Sequence, residues 1–289
     1  MNVQVLRRLR EYALLTRLNR PIGTLLLLWP VMWALWLAAD GFPGLELLVV
    51  FVTGTILTRS AGCIINDFAD RDFDPHVSRT RERPLAARRV SPYEAIGLFV
   101  VLMLFAFVVV LQLDRSTVLL SLVAATLLAT YPFFKRFFPA PQLYLGIAFG
   151  WGVPMAFMAV RGEVPPVGWV VFAITVLWAC IYDTFYAMVD REDDLRIGIR
   201  STAIWFGRHD LRVIATLQIV MLALLWQVGA LCGLGLPFEM SIGVAAALFV
   251  RQTWSCRSRS GPQCFRAFLD NHYVGLVVFV GIALATLQH

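Results

Sequence analysis

Apolar residues fill most of the chain in long runs, which short polar and charged segments separate. A helix that crosses a bilayer needs about 20 predominantly apolar residues. Nine runs reach or approach that length, and the eighth is short and ends at Arg251. The predicted spans are 22–39, 45–65, 92–112, 115–133, 142–160, 166–188, 212–234, 236–252 and 272–288. The pattern predicts an all-α, polytopic membrane bundle that forms one domain over residues 1–289.

The segment before the first run has a different pattern. In VLRRLREYALLTRLNRP the apolar residues Leu6, Leu9, Ala13 and Leu14 share one helical face, with arginines around them. An amphipathic helix of this kind lies on a membrane surface. Residues 1–20 are therefore predicted to be a juxtamembrane helix, and a transit peptide is the alternative.

The composition supports a membrane protein. Of the 289 residues, 59% are hydrophobic and 15% are charged, whereas a soluble domain has about 45–50% apolar and about 25% charged residues. The formal charge is +6. A soluble basic protein can bind nucleic acid, but here the position of the arginines beside membrane spans explains the charge better, and no nucleic-acid partner is expected. The five cysteines have no metal-ligand spacing, and neither a disulfide framework nor a zinc site is predicted.

The positive charges predict the orientation. Of the 25 Lys and Arg residues, all but Arg115 and Arg161 lie in the N-terminal segment or in loops and helix ends on the same side. Cytoplasmic segments of membrane proteins carry this excess. The N-terminus and the long loops are therefore predicted to be cytoplasmic, and the C-terminus to be on the outside.

Two clusters of acids follow the second and the sixth predicted spans. The first reads IINDFADRDFD (64–74), and the second reads YDTFYAMVDREDD (182–194). Residues at i, i+3, i+4 and i+7 share a helix face. This spacing gives two faces that present oxygen atoms, the first with Asn66, Asp67, Asp70 and Asp74, and the second with Asp183, Tyr186, Asp190 and Asp194.

Carboxylates this close destabilise one another unless a cation lies between them. Mg²⁺ takes oxygen ligands and usually binds through one or two carboxylates plus substrate phosphates. Two facing clusters are therefore predicted to hold Mg²⁺ ions that bind a diphosphate, with arginines and Lys135 neutralising its remaining charge. Two alternatives stay open at this point: solvated juxtamembrane loops, and a transporter that uses intramembrane carboxylates.

The acid clusters also resemble known signatures. NDFADRDFD (66–74) fits the NDxxDxxxD signature of the UbiA superfamily of intramembrane prenyltransferases, and DREDD (190–194) fits its second DxxxD signature. The resemblance covers essentially the whole chain. Stretches such as RLNRPIGTLLLLWP and YPFFKRFFPAPQLYLG resemble the branch that prenylates 4-hydroxybenzoate in ubiquinone biosynthesis. Naphthoate, homogentisate or a porphyrin is the alternative acceptor.

The resemblance implies a helical bundle around a central cavity that opens to the cytoplasm and laterally to lipid. The lack of a convincing transit peptide favours a bacterial inner membrane over a mitochondrial one. It implies Mg²⁺-dependent transfer of a polyprenyl group from its diphosphate to the ring carbon ortho to the hydroxyl of 4-hydroxybenzoate. By motif, one Mg²⁺ would be held by Asn66, Asp70 and Asp74, and the other by Asp190 and Asp194.

The same resemblance assigns residues to the substrates. Arg79, Arg83 and Lys135 are expected to contact the diphosphate, and Arg136 the carboxylate of the aromatic acid. Asp67 belongs to the first signature, and Tyr186 beside the second cluster is a candidate aromatic wall for an allylic cation. Asp72 lies off the shared face and is expected to be solvated or locally paired. The acceptor of the ring proton stays open between Asp190, Asp194 and the departing diphosphate.

Overall fold

The computed structural model describes residues 3–77 and 79–287, and within these ranges the regular elements are helical, with no strand. The described part of the chain contains the α-helices α1 (Val3–Leu15), α2 (Ile22–Ala39), α3 (Leu45–Asp70), α4 (Pro92–Val110), α5 (Arg115–Phe134), α6 (Pro141–Gly150), α7 (Gly152–Arg161), α8 (Pro166–Ile197), α9 (Thr202–Phe206), α10 (Asp210–Cys232), α11 (Gly235–Ser255) and α12 (Gly261–Thr286). Residue 288 of the last predicted span lies outside the described residues.

Eight segments of the described chain are long and apolar enough to cross a membrane. They are α2, α3, α4, α5, the α6–α7 pair, α8, the stretch Thr202–Cys232 and α12. This confirms the predicted all-α membrane bundle. The predicted span 236–252 folds as the helix α11 but is not among the eight, since Glu239, Arg251 and Gln252 interrupt its apolar character. The count of nine spans and the side of the N-terminus stay predictions.

Two helices continue beyond the predicted ends of their spans. α3 runs to Asp70 and α8 runs to Ile197, because an apolar run marks only the lipid-facing length of a helix and backbone hydrogen bonding continues past it. Most of both acid clusters therefore lies on rigid helical extensions. α12 likewise begins at Gly261 and not at residue 272.

The predicted span 142–160 is divided in two. α6 and α7 meet at Trp151 because Pro154 has no N–H to donate to the carbonyl of Gly150. α6 also lies very close to α8: a Cβ at Gly146 would be 2.8 Å from the carbonyl oxygen of Val176. Small residues permit such close helix contacts in membranes, and this one holds α6 against the helix that carries the second acid cluster.

The main core joins α2, α7, α8 and α10–α12 around two tryptophans. The rings of Trp33 and Trp178 lie 5.2 Å apart. Trp33 Nε1 donates to the carbonyl of Gly275 at 3.0 Å, and Trp178 Nε1 donates to Asn271 Oδ1 at 3.0 Å. Polar groups inside a membrane protein need such internal partners, so these bonds fix α12 against α2 and α8.

A smaller core attaches α1 to the bundle. Leu15 is fully buried and packs with Ile64 of α3 and with residues of the loop before α4. The Tyr12 hydroxyl donates to Glu94 at 2.5 Å, and Arg89 donates to Glu11 at 2.9 Å. One face of the predicted juxtamembrane helix α1 therefore packs against the rest of the protein.

Candidate active site

The charged ends of α3 and α8 face one cavity of about 640 Å³. This volume is within the range of small-molecule binding pockets, about 300–1,000 Å³. Residues of both predicted clusters line it, namely Asn66, Asp67, Asp70, Asp74, Tyr186, Asp190 and Asp194, together with the cations Arg79, Arg83 and Lys135. The structure thus brings together two acidic segments that are far apart in the sequence.

Asp74 reaches the cavity differently from the prediction. α3 ends at Asp70, and Asp74 begins a separate single turn of 3-10 helix, so the shared helical face predicted for these two residues is wrong. The N–H of Phe73 donates to the carbonyl of Asp70 at 2.8 Å, and Thr80 Oγ1 donates to the carbonyl of Asp74 at 2.9 Å. This turn follows the end of α3, and within it the buried Asp74 lines the cavity.

Asp67 is neutralised by arginines. Its carboxylate is 1% exposed and accepts two hydrogen bonds from Arg17, at 2.8 and 2.9 Å, and one from Arg83 at 3.1 Å. Arg83 also donates to Asp74 at 2.9 Å. Asp67 therefore positions the cations of the site, and Arg17, at the end of the N-terminal segment, is a site residue that sequence reasoning missed.

Two further ion pairs cross the cavity. Lys135 pairs with Asp70, and Arg79 pairs with Asp190 while its guanidinium lies 4.2 Å from the ring centre of Tyr186. Each pair leaves one buried atom without a hydrogen-bond partner among the described residues, Oδ1 of Asp70 and Nη1 of Arg79. Buried polar atoms without partners are rare, so Oδ1 of Asp70 is available to a cation and Nη1 of Arg79 is available to an anion.

These atoms fit a hard cation that arrives with an anionic ligand. In the described part of the chain, no three acidic, histidine or cysteine side chains converge closely enough to ligate a metal by themselves. Mg²⁺ usually takes one or two carboxylates and completes its shell with water and substrate phosphates. The carboxylate oxygens and the free Oδ1 of Asp70 suit that mode, and a dedicated all-protein metal cage is absent from the described residues.

The charges of this site also affect each other's protonation. Burial raises the pKa of Asp74 to about 6, the charges of Asp70 and Asp67 act in the same direction, and Arg83 opposes them. Burial alone would lower the pKa of Arg83, but the carboxylates of Asp67 and Asp74 outweigh it and raise that pKa above its usual value. Arg83 is thus permanently charged, whereas full ionisation of Asp74 near neutral pH is favoured by an additional cation.

Two sequence assignments fall outside this cavity. Arg136 is exposed and is not among the lining residues; its Nη2 donates to the carbonyl of Ala69 at 2.7 Å. This bond braces the end of α3, and the predicted contact of Arg136 with an aromatic carboxylate stays a prediction. Asp72 is exposed and lies 3.6 Å from Arg71, the locally paired position that was expected.

Arg59 lines the deep part of the cavity instead. It precedes Asp70 on α3 by roughly 16 Å along the helix axis. Its guanidinium packs against Gly23, where an added Cβ would be 2.3 Å from Nη2. Among the described residues it has no hydrogen bond or ion pair. The sequence did contain a sign of this role, because an ionisable residue inside an apolar span indicates a functional site by default. The sequence analysis used Arg59 only as one of the positive charges that predict the membrane orientation.

Asp183 is the second deep ionisable residue. It lies on α8 roughly 10 Å before Asp190 along the axis and lines the same cavity. Gln142 of α6 lines the same cavity, and its Oε1 accepts from the backbone N–H of Thr202 at 3.0 Å. The predicted helical face of the second cluster therefore includes Asp183, which lies further from the end of α8 than the Arg79–Asp190 ion pair.

Comparison with known proteins agrees with this architecture. The model of the UbiA prenyltransferase family matches residues 27–281. A protein of Alkalilimnicola ehrlichii named 4-hydroxybenzoate octaprenyltransferase is 57% identical over 274 residues, which cover 95% of this chain and 94% of that protein.

Solved structures share the fold. An apo UbiA homolog from Aeropyrum pernix K1 superposes with a TM-score of 0.79 at 24% identity, covering 92% of this chain and 98% of that one. A UbiA homolog from Archaeoglobus fulgidus bound to GPP and Mg²⁺ superposes with a TM-score of 0.71 at 18% identity, covering 96% of this chain and 100% of that one.

Proposed function

Because the chain belongs to the UbiA prenyltransferase family, we propose that it transfers a polyprenyl group from polyprenyl diphosphate to 4-hydroxybenzoate. The new bond forms at the ring carbon ortho to the hydroxyl, and diphosphate is released, as a step of ubiquinone biosynthesis. The observation that carries this proposal is the convergence of two acid clusters and their cations on one cavity of a membrane bundle. The name of the Alkalilimnicola relative supports the acceptor and a long donor chain.

Each part of the diphosphate site has a proposed role. Asn66, Asp70 and Asp74 on one side, and Asp190 and Asp194 on the other, would hold Mg²⁺, a proposal that the Mg²⁺-bound Archaeoglobus homolog supports. When bound, Mg²⁺ neutralises the charge that develops on the leaving diphosphate. Arg79, Arg83 and Lys135 would hold the phosphate oxygens by charge-assisted hydrogen bonds, and the free Nη1 of Arg79 is available for this.

The aromatic walls of the cavity would protect the reacting carbon from water. When the allylic C–O bond breaks, its electron pair leaves with the diphosphate and an allylic cation remains. Water would capture that cation as an alcohol, so the pocket has to exclude water. The rings of Tyr131, Tyr182 and Tyr186 line the cavity, and aromatic faces stabilise a cation in addition to excluding water.

Arg59 is the proposed partner of the acceptor's carboxylate. A guanidinium binds a carboxylate through two parallel hydrogen bonds, and Arg59 has no competing partner among the described residues. Its depth on α3 would orient the acceptor with the carboxylate away from the acid clusters. The hydroxyl-bearing end of the ring would then face the diphosphate site, where the allylic carbon is released.

The proposed setting is a bacterial inner membrane, with the cavity open to the cytoplasm and residues 1–289 acting as one catalytic domain. The concentration of Lys and Arg at the cavity end of the bundle supports this orientation, because cytoplasmic segments carry that excess.

The experiment supplies membranes containing the protein with radiolabelled 4-hydroxybenzoate, octaprenyl diphosphate and Mg²⁺. We expect label to enter the lipid phase, and EDTA, Asp70→Ala or Asp190→Ala to abolish that transfer. Asp72→Ala is the matched control, since it removes an acid of the same segment that is exposed outside the cavity. Folded protein that transfers no label would contradict the assignment of the acceptor, and the same assay with naphthoate or homogentisate would then identify another one.

A further inference from the structure

The first half of α1 exposes apolar and basic side chains together. Val5, Leu6 and Leu9 are 47%, 47% and 52% exposed, and the exposed Arg7 and Arg10 lie beside them on the helix. Among the described residues neither of these two arginines has a hydrogen bond or an ion pair. These five residues form a surface that we call the free side of α1.

The other side of α1 is attached to the start of a membrane-spanning helix. The Tyr12 hydroxyl donates to Glu94 at 2.5 Å, and Arg8 lies 3.5 Å from the same carboxylate. Glu94 is in the first turn of α4, which is long and apolar enough to cross a membrane. Another such helix, α2, begins at Ile22 shortly after α1. α1 is therefore held at the level where two spans begin.

A helix in this position needs a partner for its free side. α1 has 13 residues, and an isolated helix of about that length is marginal in water. Amphipathic helices with leucines on one side and arginines beside them bind in the headgroup layer of a bilayer, more tightly when its lipids are anionic. The two unpaired arginines complement the charge of such headgroups. The free side of α1 therefore fits the surface of an anionic bilayer.

The end of α1 leads directly to a residue of the candidate active site. Arg17 has a left-handed backbone, with φ 59°, which residues other than glycine adopt rarely. Its Nη1 donates to the carbonyl of Leu14 at 2.8 Å, and its Nη2 donates to both carboxylate oxygens of Asp67. Contacts with the last turn of α1 and with α3 thus hold this strained residue. Its position therefore depends on the position of α1.

We propose that the free side of α1 binds anionic lipid headgroups of the surrounding bilayer, and that this contact raises the affinity of the active site for the donor. Lipid-bound α1 keeps Arg17 on Asp67. Arg83, which donates to Asp67 at 3.1 Å and to Asp74 at 2.9 Å, then stays placed for the diphosphate. The effect on the donor rests on the proposed function, whereas the lipid contact of α1 does not.

The test uses the full chain in vesicles of phosphatidylcholine, with or without phosphatidylglycerol. Arg7→Gln/Arg10→Gln removes both unpaired charges and keeps residues that favour a helix. Arg212→Gln/Arg257→Gln is the matched control, since both arginines are exposed at the same end of the bundle and neither lines the cavity. One readout is hydrogen exchange of the backbone amides of α1, and the other is KM for octaprenyl diphosphate.

A charged vesicle surface also changes the local concentrations of donor and Mg²⁺, but it does so equally for both double variants. Relative to Arg7→Gln/Arg10→Gln, we expect phosphatidylglycerol to slow exchange in α1 of the unaltered protein and to lower KM for the donor. Each effect should be about fivefold, which corresponds to one basic residue near an anionic surface. The control should respond as the unaltered protein does. Leu6→Gln/Leu9→Gln should exchange fast in both kinds of vesicle.

Equal responses of the unaltered protein and of Arg7→Gln/Arg10→Gln would overturn the inference. Slower exchange in α1 without any response of KM would overturn the link through Arg17 to the donor site. If the unaltered protein transfers no prenyl group in either kind of vesicle, the proposed function has failed. That result is distinct, because hydrogen exchange still decides whether the free side of α1 binds anionic lipid. Thermal unfolding at the same temperature shows that the variants are folded.

Discussion

Lys135 donates to one carboxylate oxygen of Asp70, while the other oxygen of Asp70 is buried without a partner among the described residues. This pair connects the end of α5 to the end of α3 at the mouth of the cavity. A cation suited to a phosphate and an acid suited to a metal ion are thereby held side by side. The pairs Lys135–Asp70 and Arg79–Asp190 balance their charges, and each still has one buried atom that can bind a ligand.

Replacing Lys135 by Met should weaken donor binding. Hydrogen bonds to charged groups contribute about 1.5–3 kcal/mol, so we expect KM for octaprenyl diphosphate to rise by about tenfold or more. KM for 4-hydroxybenzoate should stay within about twofold in the same kinetic assay. Lys135→Arg keeps the charge and should restore most of the donor affinity; equal loss in both variants would indicate a packing role.

Replacing Arg59 by Met should weaken binding of the acceptor but not of the donor. The expected rise in KM for 4-hydroxybenzoate is about tenfold or more, because a charge-assisted bidentate contact is lost. Arg136→Met is the matched control, since Arg136 bonds to the carbonyl of Ala69 outside the cavity. A larger effect in Arg136→Met than in Arg59→Met would return the carboxylate site to the assignment made from the sequence.

We propose that Asp183 accepts the ring proton. It lines the cavity on α8, before Asp190 along the helix, and the proposed pose would bring the hydroxyl-bearing end of the acceptor to this wall. Asp183→Asn should lower kcat by about 10²–10⁴, the usual contribution of a general base. It should also produce a primary isotope effect with acceptor deuterated ortho to the hydroxyl. An isotope effect equal to that of the unaltered protein would leave proton removal to Asp190, Asp194 or the diphosphate.

The raised pKa of Asp74, about 6, predicts that protons compete with Mg²⁺. A carboxylate must be ionised to ligate a metal, so apparent Mg²⁺ affinity in the presence of diphosphate should be constant above pH 7 and fall as pH drops below about 6. Calorimetric Mg²⁺ titrations at several pH values measure this. Asp74→Asn should bind more weakly and lose that part of the pH dependence; a profile identical to that of the unaltered protein would contradict the prediction.

Asp210 should matter for stability and not for the reaction. Its fully buried carboxylate accepts from Arg191 and from Arg259, the latter at 2.8 Å, and joins α8, α10 and the loop before α12. Asp210→Ala should cost about 2 kcal/mol, below the usual range for a buried pair because both arginines are partly exposed. Thermal unfolding in detergent measures the loss. Asp270→Ala, whose partner Arg251 is 56% exposed, should cost less than about 1 kcal/mol.

The fold and the outline of the site could be predicted because both follow from simple patterns along the sequence. Long apolar runs predict membrane helices, and the spacing of Asp67 and Asp70, or of Asp190 and Asp194, places each pair on one face. Asp74 departed from this rule because α3 ends at Asp70, and after a helix ends a turn decides where a side chain points. The break at Trp151 was missed because Pro154 acts on a carbonyl four residues earlier, which hydropathy does not register.

The roles of the individual arginines could not be predicted in the same way. Counting them for topology treats Arg17, Arg59 and Arg136 alike, yet the first pairs with Asp67, the second lines the deep cavity, and the third braces the end of α3. The period of a single helix cannot separate these roles, because each depends on which other helix lies opposite. Only Arg59 carried a distinguishing signal, its position inside an apolar run.

The attachment of α1 has a practical consequence for anyone who shortens this protein. An amphipathic N-terminal helix is an obvious segment to remove when a membrane protein is trimmed for purification. Here the chain leaves α1 and places Arg17 on the carboxylate of Asp67, with Leu15 buried against α3. Deleting the first twenty residues would leave Asp67 with Arg83 as its remaining cation, so such a truncation has to be judged as an alteration of the catalytic centre.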